Sequence, residues 1–151
     1  MPSNVISKFQ MKSFKTHRFD FSVTPMESSY TDQPVKHEFL GKYAVSYTEN
    51  KWRGLIMVYY SLKSDHSGDS VKVDIVMDGF CEYDAPNTPD DREQFKKLLT
   101  MNGAVALLSI LRGQVAAATT ALGLSPAIIV PSVNLNHFKW EEQELSSSDE
   151  Q

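Results

Sequence analysis

The sequence predicts an α+β fold in which a four-stranded antiparallel sheet packs on one long helix, with a short crossover helix between them. Three features predict it. Residues 14–78 fall into stretches with period-two alternation, separated by turn residues, which is the mark of strands. After Asp90 the apolar spacing changes to the helical period. The stretch 102–122 is apolar around nearly its whole circumference, so a helix there needs a sheet on one side and another cover on the other.

The first strand is expected from Phe14 to Val23, halted at Pro25, with an imperfect pattern in which Phe14, Thr16 and Arg18 alternate with Lys15, His17, Phe19, Phe21 and Val23. Residues 25–41 contain Pro25, Pro34, Ser28-Ser29, Asp32 and Gly41 and read as a connection. Tyr43, Val45 and Tyr47 alternate with Ala44, Ser46 and Thr48 in a second strand that turns at Glu49-Asn50. Arg53 to Lys63 is apolar on both faces and predicts a central strand covered twice. Ser64 to Asp69 reads as a polar hairpin loop. In the fourth strand Val71, Val73, Ile75 and Met77 face inward, and Lys72, Asp74, Val76 and Asp78 outward.

Asp90-Asp91 is expected to cap a short helix over Arg92–Thr100, and Asn102 to cap the long one, which runs to about Leu122 and stops at Gly123. Ala127 to Val130 is an apolar extended run between Pro126 and Pro131. The organisation is a single domain over 1–140 followed by an acidic flexible tail over 141–151, where Glu141, Glu142, Glu144, Asp149 and Glu150 are unopposed by any basic residue.

Composition narrows the function. The 151 residues are 41% hydrophobic and carry a net charge of −4, a balance that gives no field for gripping a phosphate backbone, so nucleic acid is not an expected partner. Polar residues and prolines interrupt the 103–133 stretch, so membrane insertion is not expected either. The single cysteine, Cys81, has no activating neighbours and reads as a buried structural thiol, and the lysine-bearing N-terminus lacks a secretory apolar core; both point to the cytoplasm. His17, His37, His66 and His137 sit in four separate segments without metal-ligand spacing, and the seven glycines are isolated, so neither a metal, a cofactor nor an enzymatic activity is expected. Two Trp, six Tyr, eight Phe and six Met offer adaptable apolar surface suited to unstructured chains, or else a core and an oligomer interface. A helix apolar nearly all round puts Val105, Leu108, Arg112 and Val115 at an expected self-association surface, with Arg112 either paired with an acidic neighbour at the helix edge or buried in a pair that fixes register.

The order of strands, crossover, long helix and apolar extended segment resembles the SecB-type protein-export chaperones. Gly79-Phe80 at the end of strand four, Leu98-Leu99 followed by Asn102, Arg112 in the helix, and the string from Gly123 through Pro126, Pro131 and Val133 to Asn134 carry the likeness. It covers about residues 71–138, and 14–64 more loosely. The resemblance implies an ATP-independent holdase for unfolded or newly made polypeptides in protein export, assembled as a homotetramer. It implies a client groove near Phe80, Tyr83, Phe95, Leu98, Leu99 and Leu107, each of which also reads as a core residue, and a motor-docking position at Asp74. Lys72 and Arg18 depart from the acidic surface that a SecA-type motor partner uses. The likeness equally fits a SecB-like chaperone of an antitoxin in a toxin–antitoxin system, or a non-chaperone oligomeric protein on the same fold.

Overall fold

The strands expected from the alternation all form, and most are longer than their patterns. The computed structural model describes residues 7–25, 36–66, 69–123, 128–131 and 133–144. Most of the connection after Pro25, the Ser67-Gly68 loop tip, residues 124–127, Ser132 and the tail from Leu145 lie outside the described residues. The elements are β1 (Phe9–Pro25), β2 (Lys36–Thr48), β3 (Lys51–His66), β4 (Asp69–Tyr83), α1 (Pro89–Leu98), α2 (Ala104–Ala121) and β5 (Trp140–Glu142).

Among the described residues the sheet has five strands, not four, in the order β1-β4-β3-β2-β5. The first four pair antiparallel, and β5 adds parallel to β2. Glu141 and Glu142, expected to open the tail, are therefore strand residues. Opposite charge from α1 accounts for this: Glu142 pairs with Arg92 at 2.7 Å and Lys96 at 3.0 Å, partners about fifty residues away that the local charge run conceals.

Two irregularities in β1 explain its imperfect alternation. Register shifts between Met11 and Ser13 and between Thr16 and Arg18 each insert one residue, and each reverses the parity of the strand residues beyond it. Met11, Phe14, Thr16, Phe19, Phe21 and Val23 consequently share one face, although strict alternation separates them. The first half of β2 lies in the expected connection, because His37, Phe39 and Gly41 carry its inward positions and only Phe39 is a strong strand former. The Glu49-Asn50 turn forms with φ of 52° and 64°, the left-handed pair that a two-residue hairpin needs. The loop expected at Ser64 to Asp69 shrinks to its tip, since β3 pairs through His66 with Asp69.

Alternation in β3 and β4 sets the core. Ile56, Val58, Tyr60 and Leu62 of β3 and Val71, Val73, Ile75 and Met77 of β4 are buried on one face, under Leu107, Leu108, Leu111 and Val115 of α2. The opposite face of β3 is only half covered, with Leu55 38% exposed and Met57 and Tyr59 intermediate, so the double cover expected of this strand is absent from a single chain.

The crossover begins at Thr88, whose hydroxyl accepts a hydrogen bond from the Asp91 amide at 3.1 Å, with Pro89 at the first helical position. Thr88 thus replaces Asp90-Asp91 as the cap, and the two aspartates sit in the first turn, where the helix dipole favours them. Asn102 caps nothing. The helix continues from α1 into α2 through a π-helical turn at Leu99–Gly103, and Asn102 is exposed within it. This turn brings Gly103 down onto the sheet, where an added Cβ would lie 3.6 Å from the Cys81 sulfur. The run Pro89–Ala121 is long and apolar enough to cross a membrane by length and composition, but its inner face is the lid of the chain's own core.

Beyond Gly123, which ends α2 at φ 78° as expected, Ile128 and Val130 turn inward and Ile129 outward at 75% exposure. Thr119, fully buried, anchors this segment: its hydroxyl accepts from the Ile128 amide at 3.2 Å and donates to the Val115 carbonyl at 2.9 Å. Thr119→Val is expected to cost about 1–3 kcal/mol, because it leaves a buried amide unpaired. Urea unfolding measures it, and an unchanged midpoint would remove the anchor role.

Candidate functional site: an aromatic strip along the second strand

On the helix side of β2 the inward positions are His37, Phe39, Gly41, Tyr43, Val45 and Tyr47. They connect two ring clusters. At one end Tyr47 meets Trp52 edge-on at 5.1 Å, Trp52 lies 6.3 Å from Phe95, and Phe95 is flanked by Tyr83, stacked at 5.8 Å, and Phe9 at 6.1 Å. At the other end Phe39 packs on Tyr60 at 4.9 Å and on Phe138 at 6.1 Å, and Phe138 on Trp140 at 4.6 Å. The rim residues Phe9, Phe39, Tyr43, Tyr47 and Tyr83 are half-buried, which leaves a continuous apolar strip partly open to solvent.

The first cluster is built around the crossover. The Trp52 indole N–H donates to the Pro86 carbonyl at 3.0 Å, fixing where the chain leaves the sheet. Gly54 lies directly beneath Phe95, and a Cβ there would sit 2.8 Å from its ring and 2.9 Å from Leu99, so the absence of a side chain lets the helix approach. Of the residues expected at a groove, Phe95, Leu99 and Leu107 are fully buried in the core, Tyr83 and Leu98 are half-buried, and Phe80 is on the opposite face of the sheet, paired with Leu55. The second cluster has almost no signature in the sequence: Phe138 and Trp140 flanking a basic residue, two positions apart, are its only trace.

Charges organise the second cluster. The hydrogen bond to Lys96 lowers the Glu142 pKa, further helped by Arg92, and the same bond raises that of Lys96. Burial followed by the Glu142 charge raises the Tyr43 phenol, whose hydroxyl donates to Glu142 at 3.4 Å. A carboxylate lowered in the folded state stabilises it above the ordinary value of 4.5 and loses that contribution as pH falls through the lowered value. β5 is therefore expected to loosen as pH falls through the lowered value of Glu142, below the ordinary carboxylate value, and Glu142→Gln to abolish the pH dependence. Trp140 fluorescence against pH tests this: a transition of equal size in the Gln variant contradicts it.

The remaining expected sites divide between the core and the surface. Leu108 and Val115 lie in the chain's own core, whereas Val105 is 55% exposed and Arg112 is exposed. Among the described residues Arg112 has no acidic neighbour, and its guanidinium donates instead to the Val130 carbonyl at 3.1 Å. Asp74 is on the outer face of the sheet, 3.9 Å from Lys72, next to an Arg18–Asp20 pair. Burial pushes the Cys81 thiol up to about 12, so it stays protonated at neutral pH. No cluster of His, Cys, Asp and Glu among the described residues has metal-binding geometry.

This architecture matches a solved structure, the Mycobacterium tuberculosis Rv1957 SecB-like chaperone in complex with a ChAD peptide from the Rv1956 HigA1 antitoxin. The match has a TM-score of 0.56 at 16% identity and covers 83% of this chain and 90% of that one. The chain has a SecB-like fold. A protein from Streptococcus agalactiae also aligns, at a TM-score of 0.45 and 11% identity over 82% of this chain and 97% of that one. No protein-family model and no curated protein matches the sequence. Within the SecB-like frame the crossover helix and the aromatic strip lie on one face of the five-stranded sheet, and the ion pairs of Asp74 and Arg18 on the other.

Proposed function

We propose that the protein is an ATP-independent chaperone of the cytoplasm that holds unfolded or newly made polypeptides in extended form. The observation that carries this is the half-open aromatic strip along β2 on a SecB-like fold: rings supply apolar contact without demanding one client sequence, and methionine and aromatic side chains repack around different partners. It is a binding protein, not an enzyme. Self-association into a tetramer is part of the proposal, supported by the exposed, small-residue outer face of α2 around Val105, Ser109, Gly113 and Ala117.

Two client classes fit this reading. The neighbour's antitoxin peptide supports a short, defined client tail, and the outer sheet face favours the same choice. There Asp74 and Asp20 have basic partners, so the face offers little of the acidic field that a motor would need for steering. Export through a SecA-type motor is the second class, supported by Asp74 alone. The test is fluorescence anisotropy of a labelled, permanently unfolded polypeptide without nucleotide. Micromolar binding to the wild type, weakened several-fold by Tyr47→Ala with Tyr83→Ala, is expected; equal affinity for a folded control contradicts it.

A further inference from the structure

The chain already carries an extended segment on its own strip. Residues 138–142 run along β2, with β5 in parallel register so that Gly41 faces Trp140 and Tyr43 faces Glu142. The Gln143 amide continues the pairing by donating to the Tyr43 carbonyl at 2.7 Å. Gly41 is the notch for this segment: an added Cβ would lie 2.4 Å from the Trp140 ring and 2.5 Å from that of Phe138. Two rings two positions apart thus seat over one glycine, between Phe39 and Tyr43, and a carboxylate two positions further on reaches Arg92 and Lys96. Lys139 and Glu141, at the alternate positions, are exposed.

We infer that the β2 edge at Gly41 is a strand-addition site for extended peptide segments of the pattern aromatic–x–aromatic–x–acidic, and that residues 138–142 are a displaceable strap occupying it. This rests on the chaperone reading above. Short edge strands are weakly held, and here three paired residues, the Gln143 amide, the Phe138 and Trp140 rings and one partly exposed ion-pair cluster hold the strap. Main-chain hydrogen bonds give such a site affinity, and the notch and the two cations give it selectivity. A tethered strap competes at an effective concentration of the order of millimolar, so a free peptide binds the wild type weakly.

The probe is a labelled peptide of the chain's own residues 137–144, titrated against three full-length forms. Glu142→Lys repels Arg92 and Lys96 and should bind the peptide about tenfold more tightly than the wild type, with amide exchange faster at Glu142 and Gln143 and unchanged in β3 and β4. The double variant Lys42→Cys with Glu141→Cys faces two thiols across β2 and β5, where the buried Cys81 cannot interfere. Oxidised, it should not bind the peptide; reduced, it should bind as the wild type does. Equal binding by all three forms, or binding by the oxidised form, overturns the strap. If Glu142→Lys fails to fold, the oxidised and reduced forms of the double variant decide alone. Loss of the peptide result with unfolded-polypeptide binding intact removes only this inference, whereas peptide binding without any unfolded-polypeptide binding removes the chaperone reading and keeps the site.

Discussion

Phe95→Ala is expected to lower the unfolding free energy by about 3–5 kcal/mol, the usual cost of removing a fully buried phenylalanine. Phe95 has no solvent exposure, stacks on Tyr83, and lies against Phe9, Trp52 and the bare backbone of Gly54. Its ring is the fully buried contact of α1 with the sheet, and the crossover half of the aromatic strip is built around it. Such a loss is a large share of the roughly 5–15 kcal/mol available to a domain. Guanidinium unfolding followed by far-ultraviolet circular dichroism measures it; a loss under 1 kcal/mol would mean that Phe95 is a surface contact residue.

Leu108→Asp is expected to unfold the chain at neutral pH, at a cost above about 4 kcal/mol, because a carboxylate in the core has no partner and little contact with water. Leu108 is 7% exposed beneath α2, alongside Leu107 and Leu111. An interface position would behave differently: the variant would stay folded and only dissociate. Light scattering with circular dichroism separates these outcomes, and a folded monomer would return Leu108 to the interface. Val105→Asp, on the exposed side of the same helix, should leave the fold intact.

The contrast between these two positions shows what was legible in the sequence. Helical spacing identified α2 and its breadth of apolar residues, but a helix apolar on all sides does not say which stripe meets its own sheet. The packing of Leu107, Leu108, Leu111 and Val115 answers that. Strand parity was more informative. With Met77 inward in β4, the same alternation carries Gly79, Cys81 and Tyr83 inward and Phe80 outward, so the separation of Phe80 from Tyr83 onto opposite faces is legible in the sequence. The β1 bulges are not, because an inserted residue changes parity without changing composition. Charge misled at Glu142, since its stabilising cations come from α1, and at Asn102, where a good capping residue lies inside an uninterrupted helix. The crossover half of the strip was visible as Tyr83, Phe95 and Leu99; the Gly41 half depended on long-range pairing between residues 41 and 140.

A chaperone of the proposed kind keeps unfolded polypeptides from aggregating without spending nucleotide. The direct measurement is light scattering from an unrelated, chemically denatured protein diluted into buffer with increasing amounts of the full chain and no ATP. Suppression that saturates near stoichiometric ratios, and that added ATP does not change, is the expected result. Undiminished aggregation at a severalfold excess of folded protein would contradict the claim.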